Sequence, residues 1–235
     1  METDLHNFEK KIKINFSNIE LLKQAFVHRS YLNENPSFKL DHNERLEFLG
    51  DAVLELVVTE YLYNNLPNPE GELTNLRSAL VKGKMLSDIA DRLKLNDYLY
   101  LSKGESKSGG KARQIILANA FEALIGAIYL DQGYDKTKVF IEKNVIYHLS
   151  EIIDQKLYLD PKSHLQELSQ AELSVTPSYK VISEEGPDHN KTFIMGCYIN
   201  DKKIGEGGGA SKQTAEAAAA HAVLEKWHDI IDQAV

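Results

Sequence analysis

Apolar positions along this chain change their period once. From about Asn18 to His148 they recur mainly at helical spacing, as in Leu21, Leu22, Ala25 and Phe26, and again in Leu46, Leu49, Val53, Leu56 and Val57. That spacing predicts an all-helical region. Turn chemistry interrupts it at Asn35-Pro36, at Pro67 to Gly71, and across the Lys/Gly/Ser stretch Ser102 to Lys111, which is expected to be mobile. At Asp160-Pro161 an Asp that can cap and a Pro that can open a helix precede a short helical pattern, Ser163 to Ala171. Beyond it, Ser178–Ser183, Lys191–Ile199 and Lys202–Glu206 carry β-branched and aromatic residues, separated by Gly186-Pro187-Asp188 and Asn200-Asp201 turns. A last helix follows Gly205–Gly209, with Ser211 as its N-cap and an Ala217–Ala220 run suited to close packing on a sheet. The expected architecture is a mainly α domain over residues 1–159 and an α+β domain of order α-β-β-β-α over 160–235.

Composition narrows the classes. Of 235 residues, 43% are hydrophobic and 26% charged, the balance of a globular chain. The longest uninterrupted apolar run, Ala123–Leu130, is far short of the roughly 20 residues of a membrane span, so no membrane partner is expected. The first residues, METDLHNFEKK, lack the apolar centre of a secretory signal, so the chain is expected in the cytoplasm. The single cysteine, Cys197, excludes an intrachain disulfide or a Cys-based zinc cluster. A net charge of −8 argues against general attraction to nucleic acid, so a polyanion must meet local patches or bound cations.

The candidate chemistry lies on two helices. Between His42 and Asn64, Glu44, Glu47, Asp51 and Glu55 fall within an arc of about 80°, opposite the apolar stripe. Such a face is either a solvated surface or a cation site. Ile115–Leu130 is apolar on nearly all sides, yet it carries Asn119 and Glu122 on one face. A carboxylate inside a core needs a cation or a proton. It could pair with Arg77, Lys82 or Arg113, or join the first helix around a hard divalent ion such as Mg²⁺ or Mn²⁺, a site suited to phosphodiester hydrolysis. Phe48 points to the acidic side and is a candidate interface residue.

The segment HNERLEFLGDAVLELVVTEYLY, His42 to Tyr63, closely resembles the signature helix of bacterial ribonuclease III. LLKQAFVHRSY (Leu21–Tyr31), EGELTNLRSALV (Glu70–Val81) and ILANAFEALIGAIYLDQG (Ile116–Gly133) agree with the same family. The resemblance implies a helical endonuclease domain that cleaves both strands of an RNA duplex, in ribosomal and messenger RNA processing. It implies Asp51 and Glu122 as catalytic residues, and Glu47, Asp51, Asn119 and Glu122 as metal ligands. Glu44 and Glu70 would be valley-lining acids, and Glu55 is left as a solvated side chain. A homodimer is implied, with Phe48 as the knob entering a socket on the partner. The products would be 5′-phosphate and 3′-hydroxyl ends with a short 3′ overhang. Asn119 departs from the family's usual Asp, removing one negative charge while keeping an oxygen able to ligate. The alternative is therefore a weakened or inactive duplex-RNA-binding regulator.

The C-terminal region resembles a double-stranded RNA-binding domain, through SHLQELSQ (Ser163–Gln170), GPDHNK (Gly186–Lys191) and GGGASKQTAEAAAA (Gly207–Ala220). The resemblance implies that Gln166, Glu167 and His189 reach minor grooves, with Lys191, Ser211, Lys212 and Gln213 at phosphates. Gln213 stands where the family favours a second basic residue. From Asp160 onward there are 12 acidic against 7 basic side chains, so affinity should be modest and salt-dependent, with the Ser102–Arg113 loop as a further phosphate contact. His28, Cys197 and Trp227 read as structural residues.

Overall fold

The computed structural model describes residues 4–187, 191–227 and 230. These divide into two compact units, Met1–Tyr158 and Leu159–Val235. The first is helical: α1 (Leu5–Ile12), α2 (Ile19–Ala25), α3 (Arg29–Glu34), α4 (Glu44–Asn65), α5 (Glu70–Leu80), α6 (Gly83–Arg92), α7 (Gly110–Asn144) and α8 (Leu149–Asp154). The second comprises α9 (Pro161–Leu173), β1 (Ser178–Glu185), β2 (Thr192–Ile199), β3 (Lys202–Gly209) and α10 (Lys212–Leu224).

The helical unit is organised around α7, whose residues Ile116–Ile128 are almost continuously buried against α4 and α6. By length and composition α7 and its extension could cross a membrane, yet most of that apolar surface is the interior of this unit. Its regular path breaks at Gly133, where φ is 77°, a conformation that glycine adopts without a Cβ clash. The Asp131 carboxylate just before the break accepts the backbone N–H groups of Ser17 and Asn18 at 2.8 Å, tying α7 to the start of α2. After the break, Lys138 and Tyr134 both donate to Glu60 of α4.

α4 and α7 approach so closely that a Cβ on Gly50 would sit 1.8 Å from the Glu122 carbonyl oxygen, and one on Gly126 2.2 Å from that of Leu46. Only hydrogen fits at these two positions. The buried side of α4 is Leu46, Val53, Leu54, Val57, Val58 and Leu62. Leu56, expected in the core stripe, is instead 57% exposed. The covered face is set by where α7 and α5 pack, which rotates the buried arc toward Leu54 and Val58.

In the second unit the sheet order is β1-β2-β3, antiparallel throughout. Asp160 caps α9 by accepting from the Ser163 N–H, with Pro161 in the first turn. The β2–β3 turn places Asn200 and Asp201 at φ of 48° and 62°, the geometry of a tight hairpin. β3 runs to Gly209, three residues beyond its expected end, because α10 covers it: a Cβ on Gly207 would meet the Ala219 nitrogen at 2.2 Å. The small core gathers Leu165, Cys197, Ala219, Ala220, Val223 and Trp227, so Cys197 and Trp227 are packing residues. Trp227 Nε1 also donates to Glu172.

Candidate active site

The Gly50–Gly126 contact determines which side chains meet. Glu47 and Asp51 flank Gly50 by three residues and one residue, while Asn119 and Glu122 lie about two turns and one turn before Gly126, so the crossing faces these four toward each other. The Asn119 amide lies near enough to the Glu47 carboxylate to ease its ionisation, and the charges of Asp51 and Glu47 act on Glu122. Burial pushes the Glu122 carboxyl up to about 7, and Asp51 and Glu47 push in the same direction. Glu47 is raised as well, by burial first and by Glu44 next, with the neighbouring Asn119 amide opposing.

No cation among the described residues pairs with Glu122. Arg77 donates to Thr59 Oγ1 instead. Arg113 gives its Nε and Nη2 groups to the carbonyls of Glu105, Ser106 and Ser108. These bonds fold the Ser102–Gly109 loop around a guanidinium, and Ser102 N–H and Lys103 N–H donate to Ser30 Oγ and the Glu34 carboxylate of α3. The loop expected to be mobile is therefore anchored at both ends, and Arg113 is not a free phosphate contact.

Glu44, at the first position of α4, pairs with Arg29 at 3.2 Å and lies 3.8 Å from His42 Nδ1. His28 caps α3, its Nδ1 accepting from the Ser30 N–H, with burial lowering its pKa, a structural role. Glu70 opens α5 rather than lying in a turn. It accepts from Thr74 and lines a cleft of about 450 Å³ with Thr59, Leu62, Tyr63, Leu73 and Arg77, a surface different from the Glu47–Glu122 cluster. Glu55 is exposed, as a solvated side chain should be. Phe48 projects into solvent at 81% exposure.

The donor set tests the expected ion. Three carboxylates and one amide offer oxygen ligands, and one of those carboxylates is half-buried with no counter-charge among the described residues, which fits a hard divalent cation. No cage of three acidic, His or Cys side chains is already closed among the described residues.

In the second unit Gln166 and Glu167 are exposed on α9. Gln166 and Gln213 line one cleft with Lys162, Ser163 and Thr214. Ser211 and Thr214 form a reciprocal cap that presets the α10 N-terminus. Lys212 is ion-paired with Glu184 at 3.1 Å rather than free. Lys191 is half-buried, and His189 lies outside the described residues.

A helical unit with a partly buried acidic cluster where two helices cross, followed by an α-β-β-β-α unit, is the architecture of a duplex-RNA nuclease. Comparison with known proteins agrees. Residues 18–149 match the ribonuclease-III-like family and residues 161–226 the double-stranded RNA binding motif. Ribonuclease 3 of Dehalococcoides mccartyi is 42% identical over 227 residues, covering 96% of each chain. Ribonuclease 3 of Streptococcus pneumoniae strain P1031 is 46% identical over 217 residues, covering 92% of this chain and 93% of that one. The nuclease domain of Campylobacter jejuni ribonuclease III, in a structure described as showing flexibility in the region involved in dimer formation, is similar at 42% identity and a TM-score of 0.54, covering 60% of this chain and 98% of that one. The chain belongs to the ribonuclease III family of double-stranded-RNA endoribonucleases.

Proposed function

We propose that this enzyme hydrolyses phosphodiester bonds in both strands of RNA duplexes with Mg²⁺ as cofactor, Mn²⁺ being a substitute. Glu47, Asp51, Asn119 and Glu122 are the residues that would hold the ion. The observation that carries this reading is Glu122, half-buried, without a cationic partner among the described residues, and pressed by Asp51 and Glu47. When bound, the divalent ion supplies acidification of a water and charge stabilisation at the phosphoryl oxygens. Asp51 and Glu122 orient the attacking water. The water oxygen bonds to phosphorus, the bond to the 3′ oxygen breaks, and the protons end on the 3′-hydroxyl and solvent. The products are 5′-phosphate and 3′-hydroxyl ends with a short 3′ overhang. The cellular setting we assign is the cytoplasm, with ribosomal and messenger RNA precursors as substrates.

A homodimer completes this function. Phe48, Ala52, Leu56, Thr59 and Tyr63 form one exposed stripe along α4, with Phe48 81%, Leu56 57% and Tyr63 78% exposed. Phe48 stands at one end and the Tyr63–Leu73–Arg77 cleft at the other. Antiparallel pairing of two α4 stripes seats each Phe48 toward the other copy's cleft, as an isologous contact requires. It also brings the cleft that holds Glu70 toward the second copy's Glu47 and Asp51, where a valley-lining role for Glu70 needs it. Leu56→Asp, placing two carboxylates near the symmetry axis, should shift sedimentation from dimer to monomer. A dimer unchanged in mass and affinity would remove α4 from the interface.

The test of the chemistry is a Mg²⁺ titration of duplex cleavage for the unaltered protein and Asn119→Asp. The added charge should lower the Mg²⁺ requirement several-fold while the unaltered protein still cuts. The second reading, a duplex-binding regulator, is favoured by the uncharged Asn119 amide that stands beside Glu47. It predicts no cutting until Asp is restored, and that outcome would replace hydrolysis with RNA binding as the function of this chain.

A further inference from the structure

Every carboxylate near the RNA-reading face of the second unit has a consequence for binding, because the unit carries 12 acidic and only 7 basic side chains. Several of those basic groups are already occupied within the unit. Lys180 pairs with Asp201 and Lys203 with Glu206, each at 2.9 Å, and Lys162 pairs with Glu216. The pair at Lys212 is placed differently from the rest. Lys212 is the first residue of α10, next to the preset Ser211–Thr214 cap, where a helix N-terminus and an ammonium group together favour an anion. Glu184 Oε1 supplies that anion from the end of β1, 3.1 Å from the Lys212 ammonium. The ammonium lies 5.7 Å from the Phe193 ring centroid, and Phe193 is the register partner of Glu184 across β1 and β2. The ring and the carboxylate therefore hold the Lys212 head from neighbouring positions on the sheet.

We propose that Glu184 is an internal phosphate mimic: its carboxylate occupies on Lys212 the place of an RNA backbone phosphate and limits the duplex affinity of this unit. The inference rests on the assignment of Lys212 as an RNA contact. A duplex must displace Glu184 from Lys212 before its phosphate can pair there. Binding is weakened, and release of a cut duplex is eased by return of Glu184 to Lys212. Glu185, one residue on, carries the same charge without an ion pair to Lys212 among the described residues, so it separates this specific competition from overall charge.

The experiment measures affinity of the full-length protein for a fluorescein-labelled RNA duplex longer than the roughly 16 base pairs one such domain spans, without divalent cation so that nothing is cut. Glu184→Gln should tighten binding about threefold to fivefold, the scale of one exposed ion pair. Glu185→Gln should change it much less. In the Lys212→Gln background, the gain from Glu184→Gln should vanish. Unchanged affinity for Glu184→Gln, an equal gain from Glu185→Gln, or a gain that persists in the Lys212→Gln background would overturn the proposal. If Lys212→Gln alone leaves affinity untouched, the assignment of Lys212 to the RNA face fails, and the proposal with it. Circular dichroism of each variant establishes that the fold is retained.

Discussion

Glu122→Gln should stop duplex cutting and at the same time yield a more stable protein in the absence of divalent ions. The loss in kcat is expected on the order of a thousandfold, since one substitution removes both a ligand and a group that orients water. Binding of the duplex should persist, because the second unit is untouched. The gain in stability follows from the raised carboxyl. Glu122 titrates near 7 in the folded state against 4.5 for an ordinary glutamate, so the fold favours its protonated form. Stability of the unaltered protein therefore falls as pH rises from about 4.5 to about 7, and stays reduced above that. Gln cannot ionise and escapes this loss. After discounting for solvent screening, Glu122→Gln should be more stable by about 1–3 kcal/mol at about pH 8 and no more stable at about pH 4. Thermal melts at the two pH values measure this. Added Mg²⁺ should raise the melting temperature of the unaltered protein at the higher pH and leave that of the variant nearly unmoved. If Glu122→Gln melts lower at the higher pH, or cuts normally, Glu122 is not a desolvated metal ligand.

The second large effect is expected at the helix crossing. Gly50→Ala introduces a Cβ at 1.8 Å from a backbone carbonyl oxygen, and neither partner is a flexible side chain that can swing away. α4 and α7 must separate. Overpacking ordinarily costs about 1–3 kcal/mol, and a clash between two backbones belongs at or above the top of that range. The catalytic cost should be larger than the stability cost, because Glu47 and Asp51 move away from Asn119 and Glu122 together, and displacements near ~1 Å can lower rates on the order of a hundredfold. Gly71→Ala, where an added Cβ meets nothing within 4 Å, is the matched control and should be nearly neutral in stability. Denaturant melts and single-turnover cleavage of the pair read out both quantities. Equal stability and activity for Gly50→Ala and Gly71→Ala would mean that the crossing does not constrain the site.

Local order was written in one dimension. The change from helical to alternating period near Asp160, the Asp160 and Ser211 caps, the Asn200-Asp201 hairpin and the burial of Cys197 and Trp227 each depend on residues within a few positions, or on one periodic face. The acidic arc of α4 and the isolated Glu122 of α7 were legible for the same reason. Their meeting was not, because it depends on two glycines 76 positions apart that let the helices touch. Tertiary packing also decided that Leu56 faces outward in line with Phe48 and Tyr63, that Arg113 is consumed by the carbonyls of its own loop, and that Lys212 is held by Glu184. Spacing along a chain says which side chains share a face of one element. What covers that face, and which charge neutralises which, is settled only when elements distant in sequence compete for the same surface.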